Sequence, residues 1–406
     1  MQLQFNLNTF INKKVTCRNT SLLKADFQKY NTQMEERITG KSVLVIGGAG
    51  SIGSSYIKAI LHFKIKKLVV VDINENGLTE LVRDLRSSKE YFVPDDFITY
   101  PVNFGDIIFE KIFRHSGPFE IVANFAAHKH VRSEKDIFSI EAMIENNVLR
   151  ARKLLDLLLQ SPPEHFFCVS TDKAANPVNI MGASKKLMEE LIMAYSSKIP
   201  IKTARFANVA FSNGSLPLGF IERLNKKQPL SCPLGIRRFF VSPQESGELC
   251  LIASIMGETG DIFFPKLDEE KDMIPFDKIV KDLLEMLGFE IDYCKTEEEA
   301  RERALHLNES SKSYPVYFFG SDTSGEKSFE EFYTDSEVLD LDSFINLGVI
   351  KNSKILKISE IDNVLNRLHS LFDKDTLSKS ELVEVLKEYL PNFAHIETGK
   401  YLDQKM

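Results

Sequence analysis

The sequence has few of the features that mark secreted, membrane-spanning or nucleic-acid-binding proteins. It contains no unbroken apolar run of about 18 residues, the length a membrane-spanning helix requires. Its first residues, MQLQFNLNTFINKK, contain no apolar stretch preceded by basic residues, as a secretory signal would. The formal net charge is −7, so no overall positive field would attract nucleic acid or anionic membranes. We therefore expect a soluble, cytoplasmic protein.

Cysteine usage predicts neither a disulfide framework nor a zinc site. The chain has five scattered cysteines, no C-x-x-C pair, and eight histidines that form no ligand cluster. We expect reduced thiols, as is usual in the cytoplasm. The cysteines are Cys17, Cys168, Cys232, Cys250 and Cys294.

The rhythm of apolar segments from residue 41 onward indicates an α/β protein. Short apolar runs such as SVLVIGG and KLVVVDI alternate with amphipathic stretches of helical period, including a long helix from about Ile137 to Gln160. Nearly unbroken apolar strands are typical of a parallel sheet buried on both faces. The pattern predicts a Rossmann fold, a doubly wound parallel sheet. We interpret IKTARFANV, residues 201–209, as a further strand of this sheet.

The chain divides into four predicted regions. Residues 1–40 form an N-terminal arm with a helix from about Ser21 to Ile38, and residues 41–210 form the Rossmann domain. Residues 211–335 mix loops with short elements and are interpreted as a smaller C-terminal α/β substrate domain. Residues 336–406 are acidic and are predicted to be a helical extension, since KISEIDNVLNRLHSLF and SKSELVEVLKEYL both show amphipathic helical periodicity.

A glycine-rich turn in VLVIGGAGSIGSS predicts a dinucleotide site. Gly47, Gly50 and Gly53 lie between a strand and a helix, where missing Cβ atoms permit a tight turn and the close approach of a pyrophosphate. The helix that follows offers free N–H groups and the positive end of its dipole. Asp72 ends the second strand, where a carboxylate can bind the adenosine ribose diol and would repel a 2′-phosphate. This pattern favours NAD over NADP.

A second group of polar residues follows a buried strand in STDKAANPVNIMGASKK, residues 170–186. Thr171, Asp172 and Lys173 lie where that strand ends, and ligands bind at the carboxyl ends of strands in open α/β sheets. Lys185 follows on the next helix, where it can bind the nicotinamide ribose. Met181 lies four residues before Lys185, at a position where many nicotinamide enzymes have a tyrosine that transfers a proton. A thioether cannot do this.

These segments resemble the extended short-chain dehydrogenase/reductase superfamily, and within it the nucleotide-sugar 4,6-dehydratases of the CapD polysaccharide biosynthesis type. The matching motifs span about residues 41–335. They are GGAGSIGS, NFAAHKHV, STDKAANPVNIMGASKK, ARFANVAFSNGS and GEKSFEE. One branch of that family has methionine in place of the tyrosine.

The resemblance implies a redox-neutral lyase reaction with NAD as cofactor. In it the sugar is oxidised at C4, water is eliminated across C5 and C6, and C6 is reduced, giving a 4-keto-6-deoxy sugar nucleotide. Thr171 would assist removal of the C4 hydroxyl proton, Lys173 would take the C5 proton, and Asp172 would protonate the departing C6 hydroxyl. Met181 would pack against the nicotinamide or the sugar, and Lys185 would hold the cofactor ribose.

The resemblance also implies further residues that bind the cofactor and the substrate. Cofactor contacts would extend from the glycines to Ser51, Ile52 and Ala126, and Lys129 would lie beside the cofactor and the substrate phosphates. Asn147 would support the active-site water or the helix geometry, and Arg150 stands where the family usually has glycine. The residues implied for the substrate are Lys129, His130, Asn208, Ser215 and Arg238, with Arg237 as an alternative to Arg238.

Several alternatives follow from the same residues. The implied substrate is UDP-N-acetylglucosamine or a GDP sugar, with retention at C5 and a bacterial pathway of the legionaminic acid or diamino-sugar type. A sugar-nucleotide 4-epimerase needs the missing tyrosine, and a non-catalytic NAD-binding sensor leaves the Thr-Asp-Lys group unexplained. We expect a homo-oligomer, because the superfamily forms dimers through the two helices that begin after residues 137 and 182. The tail beyond residue 336 would cap the substrate domain, form an interface or bind a partner.

Overall fold

A computed structural model describes residues 5–320, 331–351, 355–374 and 376–397, including every side chain in these ranges except that of Arg132. Most of the motif GEKSFEE lies outside the described residues. The strands are β1 Ser42–Ile46, β2 Lys67–Val71, β3 Asp96–Tyr100, β4 Ile121–Asn124, β5 His165–Val169, β6 Ile201–Ala204, β7 Asn208–Val209, β8 Leu230–Leu234, β9 Arg237–Val241, β10 Ile262–Pro265, β11 Met273–Pro275, β12 Glu290–Cys294, β13 Ser313–Gly320, β14 Val338–Asp340 and β15 Leu347–Lys351.

The α-helices account for most of the remaining described chain. They are α1 Leu7–Phe10, α2 Lys24–Ile38, α3 Ser51–Ile60, α4 Glu75–Ser87, α5 Ile107–Ser116, α6 Ile137–Ile144, α7 Arg150–Leu158, α8 Ile180–Ala194, α9 Leu216–Asn225, α10 Pro243–Met256, α11 Glu269–Asp272, α12 Phe276–Met286, α13 Glu297–Ala304, α14 Ile358–Phe372 and α15 Lys379–Tyr389.

The main sheet has nine strands in the order β14-β15-β10-β6-β5-β4-β1-β2-β3. The seven strands from β10 to β3 run parallel, whereas β15 pairs antiparallel with β10 and β14 pairs antiparallel with β15. Strand order reverses at β1, which lies between β2 and β4. In doubly wound sheets this reversal opens a crevice at the carboxyl ends of the strands. The predicted fold class, a Rossmann-like α/β sheet, is confirmed.

The predicted strand over residues 201–209 is wrong, because two strands in different sheets replace it. β6 ends at Ala204 in the main sheet, and β7 pairs with β9 in a small sheet of order β11-β9-β7. Arg205, 0% exposed, begins the crossing between the sheets, and its guanidinium binds the carboxylates of Glu189 and Glu337. Apolar residues lie on both sides of the crossing, and no glycine or proline marks it, so the sequence pattern does not reveal the break.

The long helix predicted from Ile137 to Gln160 is observed as α6 and α7, joined by a π-helical turn over Glu145–Leu149. A π-helical turn adds a residue to the helical repeat and is frequent at functional sites. This one contains Asn147, which faces inward at 3% exposure.

The N-terminal arm and the C-terminal tail both pack against the rest of the protein. The arm contains α1, a π-helical turn over Ile11–Val15, and α2, which begins at Lys24 instead of Ser21. Phe10, Ile11 and Val15 enter a second core, formed with the small sheets and α12. The interpretation of the tail as wholly helical is wrong, since β14 and β15 extend the main sheet before α14 and α15. The division of the chain into four domains stays a prediction.

The tail helices cover part of the surface predicted for self-association. α14 lies against α8, and its residues Ile361, Leu365 and Leu368 are buried in the main core. Arg152 on α7 forms an ion pair with Asp362 on α14. A dimer contact through α7 and α8 would therefore have to include or displace the chain's own tail.

Candidate active site

The glycine-rich turn has the shape of a phosphate cradle. Gly47 has a φ of +76°, a left-handed conformation that favours glycine, and a Cβ there would lie 2.5 Å from the amide nitrogen of Ala126. A Cβ on Gly53 would lie 2.8 Å from Cα of Gly48, so α3 packs against the turn only because residue 53 has no side chain. Gly50 precedes α3 at its N-cap position, and a Cβ there meets nothing closer than 3.4 Å. The space beside Gly50 is therefore available to a ligand.

Asp72 is held beside this turn at the end of β2. Its Oδ2 accepts a hydrogen bond from the amide of Ala49 at 2.9 Å, and its Oδ1 accepts one from the amide of Asn74 at 2.9 Å. These bonds fix the carboxylate while leaving lone pairs on both oxygens. Ile73, 69% exposed, follows directly. The carboxylate and the apolar side chain together suit a ribose diol and the ring attached to it.

The loop after β4 is fixed by Asn147. The side-chain oxygen of Asn147 accepts from the amide of His128 at 2.8 Å, and its Nδ2 donates to the carbonyl of His128 at 2.9 Å. Nδ2 also lies 3.0 Å from Oγ of Ser184 on α8. The predicted supporting role of Asn147 thus corresponds to a bridge between this loop and α8. The π-helical turn provides its inward position.

Lys129 and His130 extend from this loop at the surface. Desolvation lowers the pKa of Lys129, although its side chain still reaches solvent. The ring of His130 lies against Gly214, where a Cβ would come within 2.8 Å of it, and Gly214 has a φ of +73°. The amide of Asn213 donates to Oγ of Ser51 at 2.9 Å. Through these contacts the loop before α9 touches both the glycine-rich turn and the loop after β4.

Thr171, Asp172 and Lys173 form one hydrogen-bonded group where β5 ends. Three donors converge on Oδ1 of Asp172, which is 3% exposed: the Thr171 hydroxyl at 2.8 Å, the Lys173 amide at 2.9 Å and Lys173 Nζ at 3.0 Å. A carboxyl and an amine at this separation can pass a proton directly between them. The group therefore contains a hydroxyl, an acid and a base in direct contact.

Helix α8 places Met181 and Lys185 next to this group. Its first turn is capped by Asn179, whose Oδ1 accepts from the amide of Gly182 at 2.7 Å. A Cβ on Gly182 would lie 2.7 Å from the carbonyl oxygen of Lys173, so this glycine lets α8 approach the Thr-Asp-Lys group closely. Met181 is buried, with 2% exposure.

Lys185 is almost completely buried on the same helix. Its Nζ donates to the carbonyl of Val169 at 2.6 Å, two residues before Thr171. Burial lowers the pKa of the Lys185 ammonium. Its role at the cofactor ribose stays a prediction.

The other predicted substrate residues lie on the small sheet of β7, β9 and β11 and at the N-terminus of α9. Ser215 caps α9 by accepting from the amide of Leu218 at 3.4 Å, and Asn208 Nδ2 donates to the carbonyl of Phe239 at 3.4 Å. Arg238 is 7% exposed and donates from Nη1 to the carbonyl of Arg237 at 2.9 Å. Arg237 is exposed and its Nη2 donates to the carbonyl of Glu269 at 2.8 Å. The two arginines thus occupy different environments.

Arg150, at the position where the resembled family usually has glycine, fits against a glycine of another loop. A Cβ on Gly105 would lie 2.6 Å from Cδ of Arg150, and Nε of Arg150 lies 3.4 Å from Oε1 of Glu145. The pKa of His128 is lowered, chiefly because His128 is itself partly buried and secondly by the positive charge of Arg150. Local packing therefore accommodates the arginine.

One residue of this region was missed by the sequence analysis. Glu134, 4% exposed, accepts a hydrogen bond from the amide of Met181 at 2.9 Å. Burial raises the pKa of its carboxyl, and hydrogen bonds from the backbone amides of Met181 and Ile180 oppose that rise. Nothing in the sequence separates Glu134 from the other charged residues beside it. Within the described ranges, no group of three or more histidine, cysteine and acidic side chains could hold a metal ion.

Residues 43–351 match the family described as polysaccharide biosynthesis protein. The chain belongs to this family. It is 29% identical to an uncharacterized membrane protein, MJ1061, of Methanocaldococcus jannaschii over 86% of this chain and 96% of that protein. It is 27% identical to the capsular polysaccharide biosynthesis protein CapD of Staphylococcus aureus over 85% of this chain, and spans only 54% of CapD. No helix among the described residues has the length and hydrophobicity to cross a membrane.

A third relative is a UDP-N-acetylglucosamine 4,6-dehydratase (inverting) of Campylobacter jejuni, 28% identical over 57% of this chain and 69% of that enzyme. Two solved structures share the fold. Pen from Bacillus thuringiensis has a TM-score of 0.62 and 20% identity over 82% of this chain and 98% of its own. The UDP-glucose 4-epimerase of Thermus thermophilus, solved as a complex with NAD, has a TM-score of 0.52 and 20% identity over 72% of this chain and 90% of its own. The prediction of NAD agrees with that complex.

Proposed function

We propose that this protein is an NAD-dependent nucleotide-sugar 4,6-dehydratase, acting on UDP-N-acetylglucosamine or a GDP sugar. The observation that carries the proposal is the convergence of Thr171 and Lys173 on one oxygen of Asp172 at the carboxyl edge of the sheet. A dehydratase needs an acid and a base for the elimination of water, and this group provides both. Family membership and the similarity to the Campylobacter dehydratase support the same reaction class.

The site fits NAD. The pyrophosphate would lie against Gly50 and the free amides of α3, and Asp72 would bind the adenosine ribose. Ile73, which is exposed and directly follows Asp72, would provide apolar surface for the adenine. Lys185 would bind the nicotinamide ribose. When bound, NAD supplies an acceptor for the hydride of sugar C4, which is later returned at C6.

The Thr-Asp-Lys group would handle the protons. The Thr171 hydroxyl would accept the C4 hydroxyl proton while its own passes to Asp172, along the 2.8 Å hydrogen bond. Once C4 is a ketone, the C5 proton becomes acidic and Lys173, in its neutral form, takes it. Asp172, in its protonated form, protonates the departing C6 hydroxyl, which leaves as water. As C6 is reduced, Lys173 returns its proton to C5, so Asp172 and Lys173 both regain their starting forms and the net loss is one water.

The nucleotide and its phosphates would lie across the small sheets. The N-terminus of α9, capped by Ser215, directs free amides and a positive dipole end to this side of the site. Lys129 and either Arg238 or Arg237 provide the cationic groups that a diphosphate requires, and Asn208 and His130 complete the lining.

The finer features of the proposal rest on the resemblance. Catalysis with Met181 in place of tyrosine, retention at C5 and a legionaminic acid-type pathway are inferred from one branch of the resembled family. The Campylobacter relative, by contrast, is by name an inverting enzyme. An epimerase is the second candidate, because the Thermus epimerase shares the fold. Against it, an epimerase requires a proton-transferring residue at position 181 and makes no use of the Asp172–Lys173 pair.

The test is to incubate the purified protein with UDP-N-acetylglucosamine and, separately, with a GDP sugar, and to measure the products by mass spectrometry. The proposal predicts loss of one water without net formation of NADH. Asp172→Asn, which keeps the size of the side chain, is expected to abolish the loss while NAD stays bound. An unchanged mass with a change of configuration at C4 would identify an epimerase, and proton NMR of the dehydrated product would assign C5.

A further inference from the structure

The last described residues, 391–397, cross the loop that leads into α8. The amide of Ala394 donates to the carbonyl of Pro177 at 3.1 Å, and the amide of Ile396 donates to the carbonyl of Val178 at 2.9 Å. We call residues 391–397 the C-terminal strap. Pro177 and Val178 lie between Lys173 and Met181, so the strap contacts the segment that joins the Thr-Asp-Lys group to α8.

The strap also lies against Glu134, whose Oε1 accepts from the amide of Met181. Nε2 of His395 is 3.9 Å from Oε2 of Glu134, and the two side chains are 9% and 5% exposed. Nζ of Lys379, at the start of α15, lies 3.4 Å from the carbonyl oxygen of Glu134. Glu134 is therefore held between the first turn of α8 and the tail, four residues after His130.

The strap is anchored on the body. Phe393 is 3% exposed in the main core, and its ring centroid lies 5.7 Å from that of His395. Lys379 forms an ion pair with Glu397, which closes the strap onto α15. Ser378 and Glu381 form a capping box at the start of α15, so the helix that carries the strap has a defined beginning.

We propose that the C-terminal strap positions the active site by fixing residues 177–181, with Glu134 as the positioning residue that joins the strap to the first turn of α8. The inference rests on the dehydratase function proposed above. The first turn of α8 sets the distance between Gly182 and the carbonyl of Lys173, and Lys185 follows one turn later. A displaced first turn would separate the cofactor lysine from the Thr-Asp-Lys group, although no strap residue needs to touch the substrate.

The test uses the full chain and the backbone bond at residue 396. Ile396→Pro removes the N–H that donates to Val178, whereas Ile396→Ala keeps it and removes a side chain that is already exposed. Amide hydrogen exchange of residues 178–182, measured without substrate, is expected to be about tenfold faster in Ile396→Pro, as for loss of one net hydrogen bond. The alanine variant should exchange at the wild-type rate.

Steady-state kinetics of the same variants test the consequence for catalysis. Ile396→Pro is expected to lower kcat about tenfold and to change KM less than about twofold, since positioning acts on the reacting groups after binding. Glu134→Ala should show the same division between kcat and KM, and Glu134→Gln, which keeps an acceptor oxygen for Met181, should recover most of the rate.

Two outcomes would overturn the proposal. One is wild-type exchange at residues 178–182 in both Ile396→Pro and Glu134→Ala. The other is faster exchange with an unchanged kcat, which would leave the strap a purely structural element. If the wild-type protein dehydrates neither sugar nucleotide, the proposed function fails, while the exchange experiment still decides whether the strap fixes this loop.

Discussion

Gly50→Ala is the sharpest test of how the cofactor binds, because the protein itself has room for the added methyl group. Gly50 has a φ of −73°, which any residue adopts, and its Cβ would meet nothing closer than the carbonyl oxygen of Gly47 at 3.4 Å. Alanine is a poorer N-cap than glycine but reduces the entropy of the unfolded chain, and these opposing effects should leave the free energy of unfolding changed by less than about 1 kcal/mol.

NAD binding should be affected much more than stability, because a bound pyrophosphate would occupy the space that the methyl group enters. Loss of one hydrogen bond between an amide and a charged phosphate costs about 1.5–3 kcal/mol, which weakens NAD binding roughly 10- to 150-fold. Isothermal titration calorimetry on protein freed of cofactor measures this directly. Urea denaturation of the same sample verifies that the fold is intact.

Gly53→Ala is the matched control, because its Cβ would lie 2.8 Å from backbone Cα of Gly48 and cannot be accommodated without a shift of α3. That variant should lose about 1–3 kcal/mol of stability even without NAD. If Gly50→Ala binds NAD with wild-type affinity, the pyrophosphate does not lie on this turn and the assignment of the cofactor site is refuted.

Three further predictions address the catalytic group, the buried ion network and the pH dependence of stability. Lys173→Met should abolish dehydration while NAD stays bound, and a substantial residual rate would remove Lys173 from the mechanism. Arg205→Met leaves the carboxylates of Glu189 and Glu337 buried without their guanidinium, so urea denaturation should show a loss of about 3–5 kcal/mol; a change below about 1 kcal/mol would contradict this. Burial, with the nearby charge of Lys202, lowers the pKa of His165 from 6.5 to about 4. Its contribution to stability is therefore present above pH 6.5 and is lost as the pH falls through about 4, by at most about 3 kcal/mol. His165→Gln should flatten the stability curve in that window, and an unchanged curve would refute the assignment.

The Rossmann half of the fold was predictable because its determinants are local. Apolar strands such as β1 are buried on both faces and leave an unbroken run in the sequence. Gly47 and Gly53 are required by contacts within one strand–turn–helix unit, and the Thr-Asp-Lys group is contiguous in the chain. The structure accordingly brings these predicted residues to one edge of the sheet.

The remaining parts depend on contacts between distant segments, which periodicity does not reveal. β15 is a strand because it pairs with β10, more than 80 residues earlier. Glu134 is buried because α8 and the C-terminal strap meet there, whereas the adjacent Lys135 is exposed. The break between β6 and β7 arises from the crossing to a second sheet, which begins at Arg205.

The most direct test of the central claim uses UDP-N-acetylglucosamine carrying deuterium at C4, with the products analysed by NMR and mass spectrometry. The proposed reaction predicts that the deuterium moves from C4 to the C6 methyl group of a product that has lost one water. Deuterium found again at C4, in a product of unchanged mass and altered C4 configuration, would identify an epimerase and contradict the role proposed here for Asp172 and Lys173.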